Sequence, residues 1–327
     1  MIDFTITEEE QLLADTARRF GDEHLREPER DHEKAQAYPS ELHKLFSEMG
    51  LAGLNRPDSG LESVHRLAVW GALAECDPSA AFAMDPVGPG GALIDNLPSG
   101  VGAIAYQDKV VIADGHATGH LGWVPRPRLD WLVLVGEDGL HLIEAPPHTV
   151  LDQRICGLHA CGGVEVHLDH TAVQAIGDAQ QAQAVLDECR LIAATVMVGA
   201  ARDAHNAAAK YAQERVAFGK PIAHHQGLAF QLADAATDLQ AAQLLVDAAH
   251  GDTTLIANAH AYADTVAHQV CERSVQALGG HGYLYDHRVE KRMRDVRAVA
   301  ALYGGSILSE HHAAQGILTL IDPLEFS

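Results

Sequence analysis

Aromatic residues make up only 5% of this 327-residue chain, and 23 lysines and arginines face 45 acidic residues. A formal charge of −22 leaves no basic field to displace counterions from a nucleic-acid backbone, so no nucleic-acid partner is expected. An anionic ligand remains admissible if local arginines or helix N-termini receive it. Cysteine is also sparse. Cys76, Cys156, Cys161, Cys189 and Cys271 are odd in number, irregularly spaced and without a CxxC pair. Neither a zinc knuckle nor a disulfide framework follows, and reduced cysteines in a cytoplasmic protein are the expectation. The 21 histidines are scattered, and the pairs His224-His225 and His311-His312 lack a third ligand at useful spacing, so no metal centre is expected. No apolar run is long enough to span a bilayer, and Met1-Ile2-Asp3-Phe4 lacks the basic start and apolar stretch of a secretion signal.

What is present is alanine in quantity and 47% hydrophobic residues, enough for a large, helix-leaning core in two or three subdomains. Thr7-Glu8-Glu9-Glu10 forms a capping-box pattern, and Leu12, Leu13, Ala17 and Phe20 follow at helical spacing with Thr16 on the same face. Tyr38-Pro39-Ser40 breaks the chain. A second helix is predicted from Ser40 to Met49, ended by Gly50, and a third from Leu61 to Glu75.

The middle changes character. Residues 109–113, 131–135 and 140–143 are short β-rich runs, with Glu137-Asp138-Gly139 as a hairpin turn between the last two. Val164 to Leu168 alternates with period two, and the sheet region ends near Ala175. From Asp178 long helices return, at 182–214, 225–250, 254–278 and 289–318. Leu191 to Ala201 is apolar almost all round, as in a helix buried within a bundle. Short glycine-containing breaks favour antiparallel neighbours.

Two C-terminal stretches could carry chemistry. In the first, Arg215 and Phe218-Gly219 precede a turn and Gln226, so an arginine, backbone amides and a helix N-terminus suit a phosphate. By itself this also reads as an ordinary helix C-cap. In the second, Gln276 precedes Gly279-Gly280-His281-Gly282-Tyr283, then Lys291-Arg292-Met293-Arg294-Asp295. The glycines let backbone approach a ligand. The plain alternative is a helix-to-helix turn followed by a salt-bridged helix face, and no preceding strand supports a Rossmann fingerprint.

Taken together, in this order and spacing, the stretches resemble the acyl-CoA dehydrogenase family: an arginine, Phe-Gly, a glutamine after the turn, then glutamine before Gly-Gly-x-Gly-Tyr and an arginine-aspartate. The likeness extends over nearly the whole chain, through Phe4-Thr5-Ile6-Thr7, Tyr38-Pro39, Met49-Gly50-Leu51, Asn55-Arg56-Pro57 and Leu186-Asp187-Glu188-Cys189-Arg190. It implies a mainly α fold with an N-terminal helical domain (1–98), a curtailed middle β domain (99–176) and a C-terminal four-helix bundle (177–327). It implies FAD at a subunit interface, with Arg215 on the pyrophosphate, and Phe218 and Gln226 near the adenosine half. Gln276, Gly279 and Gly280 would approach the same FAD from the neighbouring subunit. Asp187 and Arg190 match positions lining the acyl-CoA site, or else form a solvated helix face. The motifs specify neither the acyl group nor the electron acceptor.

The sequence departs from the family where the chemistry should be. α,β-Dehydrogenation needs a carboxylate to take the weakly acidic α-proton. The family's glutamate position falls on Tyr303 or Gly304, and neither is a plausible base. A relocated glutamate of some relatives would fall at Thr265; the adjacent Asp264 is offset by about 100° on the helix, and Glu310 is more distant. The glycine-rich flavin loop of the β domain is also missing, since Ala103 to Asp108 runs straight into Lys109-Val110, and Trp123 stands where a tryptophan near the flavin is expected. Shortened chains without the glutamate resemble one partner of the heteromeric acyl-CoA dehydrogenases of steroid side-chain breakdown. Three readings follow: a subunit of such a hetero-oligomer, a self-sufficient homo-oligomer with Asp264 as base, or a non-catalytic scaffold.

Overall fold

The computed structural model describes residues 6–151 and 155–320, with only the backbone of Thr319 and Leu320. The residues Met1 to Thr5, including the Phe4-Thr5 part of the opening motif, lie outside it, as do 321–327. Helix α1 (Glu8–His24) starts at the expected capping box, where Glu10 N–H donates to Thr7 Oγ1 at 3.2 Å and Thr7 N–H to Glu10 Oε2 at 2.6 Å. Helices α2 (Glu29–Ala35), α3 (Ser40–Glu48), α4 (Ser63–Ala74) and the short α5 (Ala80–Ala83) complete the N-terminal part. The sequence pattern did not reveal α2, which has no apolar stripe.

The middle holds two four-stranded sheets. The strands are β1 (Gly102–Tyr106), β2 (Val110–Ala113), β3 (His116–Val124), β4 (Trp131–Gly136), β5 (Gly139–Glu144), β6 (His148–Val150), β7 (Val164–Ala172) and β8 (Gln174–Gly177). One sheet runs β1-β4-β5-β8, with β1 and β4 parallel; the other runs β2-β3-β7-β6, all antiparallel. Only Gln107, Asp108 and Lys109 join β1 to β2, so the short connection read from the sequence is real.

The C-terminal part is built on α6 (Ala179–Glu214), whose residues from Val185 to Ala201 are buried throughout. It packs against α4, α7 (Gln226–Ala248), α8 (Thr253–Leu278) and α9 (Val289–Ala300). Helices α4 and α6 nearly touch backbone to backbone, since a Cβ on Gly199 would lie 2.8 Å from the Gly71 carbonyl oxygen. The helix expected over 289–318 is two. After α9 the chain turns through Tyr303, Gly304 and Gly305 at φ 56°, 87° and 71°, then enters α10 (Gly305–Leu320). Three successive left-handed residues cannot continue a right-handed helix.

The stretch from Lys291 to Asp295 is salt-bridged, and much of it is turned inward. Lys291, Arg292 and Asp295 are buried. Lys291 Nζ lies 2.8 Å from both Asp77 Oδ1 and Asp295 Oδ2, and Tyr38 donates its hydroxyl to Asp77 Oδ2 at 2.7 Å. Arg292 reaches Asp203 at 2.8 Å and the Cys76 carbonyl at 2.6 Å, and the Leu158 amide donates to Asp295 at 2.8 Å. One helix thereby fastens the N-terminal helices, the β region and α6. All five cysteines are free, and no helix among the described residues is long and apolar enough to cross a membrane.

Glu33 on α2 shows what holds that helix. Its carboxylate meets Arg30 and Arg294 at 2.6 Å each and His159 at 3.0 Å. Burial pushes its pKa up, but the hydrogen bonds from His159 and Arg30 and the charge of Arg294 outweigh this and hold it well below the usual carboxylate range. A lowered native pKa gives stability that is complete above the unfolded-chain value of 4.5 and is lost as pH falls below it. Glu33→Gln should cost roughly 2 kcal/mol at neutral pH and almost nothing in strong acid. Urea midpoints of both proteins across the acid range would check this; a pH-independent difference would be the contrary result.

Candidate FAD and acyl-CoA sites

Helix α6 ends at Glu214, so Gly219 does not end it. The strands β9 (Val216–Ala217) and β10 (Lys220–Pro221) pair as a hairpin with Phe218 and Gly219 at its tip, at φ 51° and 82°. Positive φ at both tip residues is the type I′ signature, common for glycine and asparagine but unusual for phenylalanine. The Phe218 side chain is 95% exposed, its ring edge-on to His225 at 6.1 Å. Such an apolar group gains about 1.5–3 kcal/mol once something covers it.

Beside this hairpin, Tyr211, Arg215, Gln276, Gly279, Gly280 and His281 line an open cleft of about 460 Å³. Gly279 ends α8 at φ 58°, and a Cβ on either glycine would meet nothing within 4 Å. Arg215 is exposed. One chain therefore brings Arg215, Gln276, Gly279 and Gly280 together, while Phe218 and Gln226 stand outside the cleft wall, Gln226 as the exposed first residue of α7. An exposed guanidinium, unobstructed glycine backbone and an exposed ring fit the ADP half of a dinucleotide.

A second cavity, also about 460 Å³, opens between β1, β3 and the turn at 301–304. Its wall includes Tyr106, Lys109, His120, Trp123, Arg126 and Tyr303. The Trp123 indole Nε1 is buried without a partner, an orphaned donor at the position expected near a flavin. Burial pushes the Tyr303 phenol well above its ordinary value, the Cys189 thiol adds to this, and Arg126 only partly offsets it, so the phenol stays neutral. Among the described residues, the one carboxylate in this wall is the exposed Asp108, and no buried carboxylate lines it.

Asp264, the candidate base, stands apart from this cavity. It lies on α8 outside this wall, 2.6 Å from His268 Nδ1. Burial raises its pKa, but hydrogen bonds from His268 and Ser306 bring it below the ordinary value, the opposite of what a base near neutrality needs. Thr265 is exposed on the same helix, and Glu310 is exposed on α10.

Asp187 and Arg190 are both buried, so they do not form a solvated face. Asp187 lines a separate space of about 600 Å³ with Arg66, Glu188 and His250; it accepts from Gln183 at 2.8 Å, and burial raises its pKa. Arg190 lines neither space. Its Nη1 lies 2.9 Å from His312 Nδ1, while Nε and Nη2 are buried without partners. Burial lowers its pKa, against the opposing pull of Asp187 and Tyr106.

Sequence reasoning missed Arg126. It is buried in the cavity wall, donates from Nη1 to the Asp85 carbonyl at 2.7 Å, and fits against Gly88, where a Cβ would lie 2.4 Å from its Nη2. The flanking Pro125 and Pro127 were the one signal in the sequence.

Comparison with known proteins agrees with these features. The chain matches the acyl-CoA dehydrogenase N-terminal domain over residues 7–95 and the acyl-CoA dehydrogenase C-terminal domain over 179–315. It is 38% identical over 144 residues to caffeyl-CoA reductase–Etf complex subunit CarC of Acetobacterium woodii, covering 42% of this chain and 38% of that protein. It is 27% identical to benzylmalonyl-CoA dehydrogenase of Aromatoleum aromaticum over 90% of this chain and 94% of that one. Butyryl-CoA dehydrogenase of Megasphaera elsdenii shares the fold, with a TM-score of 0.80 at 20% identity over 97% of this chain and 100% of that chain. With both terminal domains matched and the fold shared end to end, the chain belongs to the acyl-CoA dehydrogenase family of FAD-dependent oxidoreductases.

Proposed function

We propose that this chain is one subunit of a heteromeric acyl-CoA dehydrogenase that forms an α,β-double bond in an acyl-CoA thioester. One observation supports the reading: Arg215, Gln276, Gly279 and Gly280 line one open cleft, while among the described residues the cavity at Tyr303 has no buried carboxylate. Flavin, when bound, supplies the hydride acceptor. In this chain Arg215 would neutralise pyrophosphate charge, the glycines would admit the dinucleotide, and Phe218 would be covered at the subunit contact. The base would come from the partner chain. The relative CarC is by name a subunit of a complex, which supports a chain that works with other polypeptides. Asp108 and Lys109 of the short β1–β2 connection line the cavity, and so short a connection would leave room for a bulky acyl group of the steroid side-chain type.

The test is the visible absorption spectrum of the chain alone and coexpressed with a glutamate-bearing family member. A flavin band and turnover are expected only from the pair, and Asp264→Ala in this chain should leave that turnover within about twofold. Full turnover by the lone chain would overturn the proposal, and its loss in Asp264→Ala would put the base here after all.

A further inference from the structure

The ladder of β3 and β7 gathers histidines that lie far apart in sequence. His120 and His167 are directly opposed across the two strands, and Glu165 sits two residues before His167, on the same face. The opposite face carries Leu121, Val164, Val166 and Leu168 into the core, which fixes the register and aims these polar side chains outward. The two imidazoles stack with centroids 4.5 Å apart and planes 21° apart. His120 Nε2 is 2.6 Å from Glu165 Oε1, and His167 Nε2 is 3.4 Å from Glu165 Oε2. All the ligand atoms lie within 4.8 Å of one another.

We propose that His120, His167 and Glu165 form a binding site for a divalent transition-metal ion of the zinc class. The donor set is two imidazole nitrogens and one carboxylate oxygen, which suits a borderline-soft ion. Tetrahedral bonds of about 2.0–2.2 Å place neighbouring ligand atoms about 3.4 Å apart. The contact of His167 with Glu165 already has that spacing, and the contact of His120 with Glu165 needs to open by less than about 1 Å. An ion would take the place of the contact between His120 Nε2 and Glu165 Oε1, and coordination through Nε2 would put the imidazole proton on Nδ1. The ligands stand on paired strands instead of a loop, so little ordering accompanies binding. Three protein ligands leave a fourth position for water or another oxygen donor. Because His120 also lines the cavity that holds Tyr303 and Arg126, the ion would sit at that cavity's rim.

Titration of the chelator-treated full chain with zinc chloride at neutral pH, followed by calorimetry, tests the site without any dependence on flavin. Wild type should take up one ion per chain at micromolar concentration. His120→Ala and His167→Ala should each weaken binding at least about tenfold (about 1.4 kcal/mol). Glu165→Gln should weaken it less, and a His311→Ala/His312→Ala variant should bind as wild type does. Zinc should raise the melting temperature of wild type and leave that of His120→Ala/His167→Ala unmoved. Unchanged affinity in the latter double variant, or no uptake by wild type, would overturn the site.

Discussion

Lys291→Met is expected to destabilise the fold by about 3–5 kcal/mol, the usual cost of removing one partner from a buried ion pair. The shape change is small, because methionine fills most of the lysine stem, so the cost is electrostatic. Lys291 holds its proton firmly: burial alone would lower its pKa, but Asp295 and Asp77 raise it above the ordinary lysine value. Removing the ammonium leaves Asp77 with neutral hydrogen-bond donors such as Tyr38, and Asp295 with the Leu158 amide and Arg292 at 4.0 Å. Asp77→Asn added to Lys291→Met should recover part of the loss, since one unpaired charge goes with it. Urea denaturation of the single and double variants measures both effects. A cost below about 1 kcal/mol for Lys291→Met would mean that the cluster is hydrated or rearranges.

The second large effect concerns the cleft. In the assembled enzyme, Gly280→Val should reduce flavin occupancy at least tenfold while leaving the melting temperature of this chain almost unchanged. The separation follows from the surroundings of that glycine. Its backbone is not in the left-handed region, and an added Cβ meets nothing within 4 Å, so the chain's own fold gives no reason for glycine there. Surface substitutions of this kind usually change stability by no more than about 0.5 kcal/mol. A ligand lying against the backbone would feel every added methyl. Arg215→Ala should act in the same direction by about 10- to 100-fold, the worth of a charge-assisted hydrogen bond. Flavin released by denaturation and counted per assembled complex gives the answer. Full occupancy in Gly280→Val would place the dinucleotide elsewhere.

How much was legible beforehand varied with the kind of signal. The helices α6 and α8 announce themselves through long apolar periodicity, and α1 through its capping box, because local chemistry decides them. Helix α2 was invisible, since Glu29–Ala35 is mostly charged, has no apolar stripe, and is tied down by Glu33 meeting Arg30, Arg294 and His159. Strand β3 was equally hidden: its glycines and histidines have poor strand propensity, and its pairing with β7 supplies the order. The cleft residues were readable because the family motifs are contiguous. Asp187 and Arg190, close in sequence, turned out to have different surroundings, the first lining a cavity and the second set against His312, and only side-chain geometry could show that. The grouping of His120 with Glu165, 45 residues apart, exists only once the strand register is set. Sequence spacing alone could not show this group of side chains, because it is assembled across strands.

The turn at 303–305 has a bearing on how such a chain could regain independence. If a partner now provides the base, reversion would need a carboxylate restored here, and each single step is obstructed. A side chain at Gly304 would enter at φ 87° with its Cβ 2.3 Å from Leu308 Cδ2. A glutamate at Tyr303 would lie buried in the field of Arg126, which would keep it ionised and a weak proton acceptor. On that reading the packing around 303–305 would act as a ratchet, making dependence on a second polypeptide hard to reverse by point mutation.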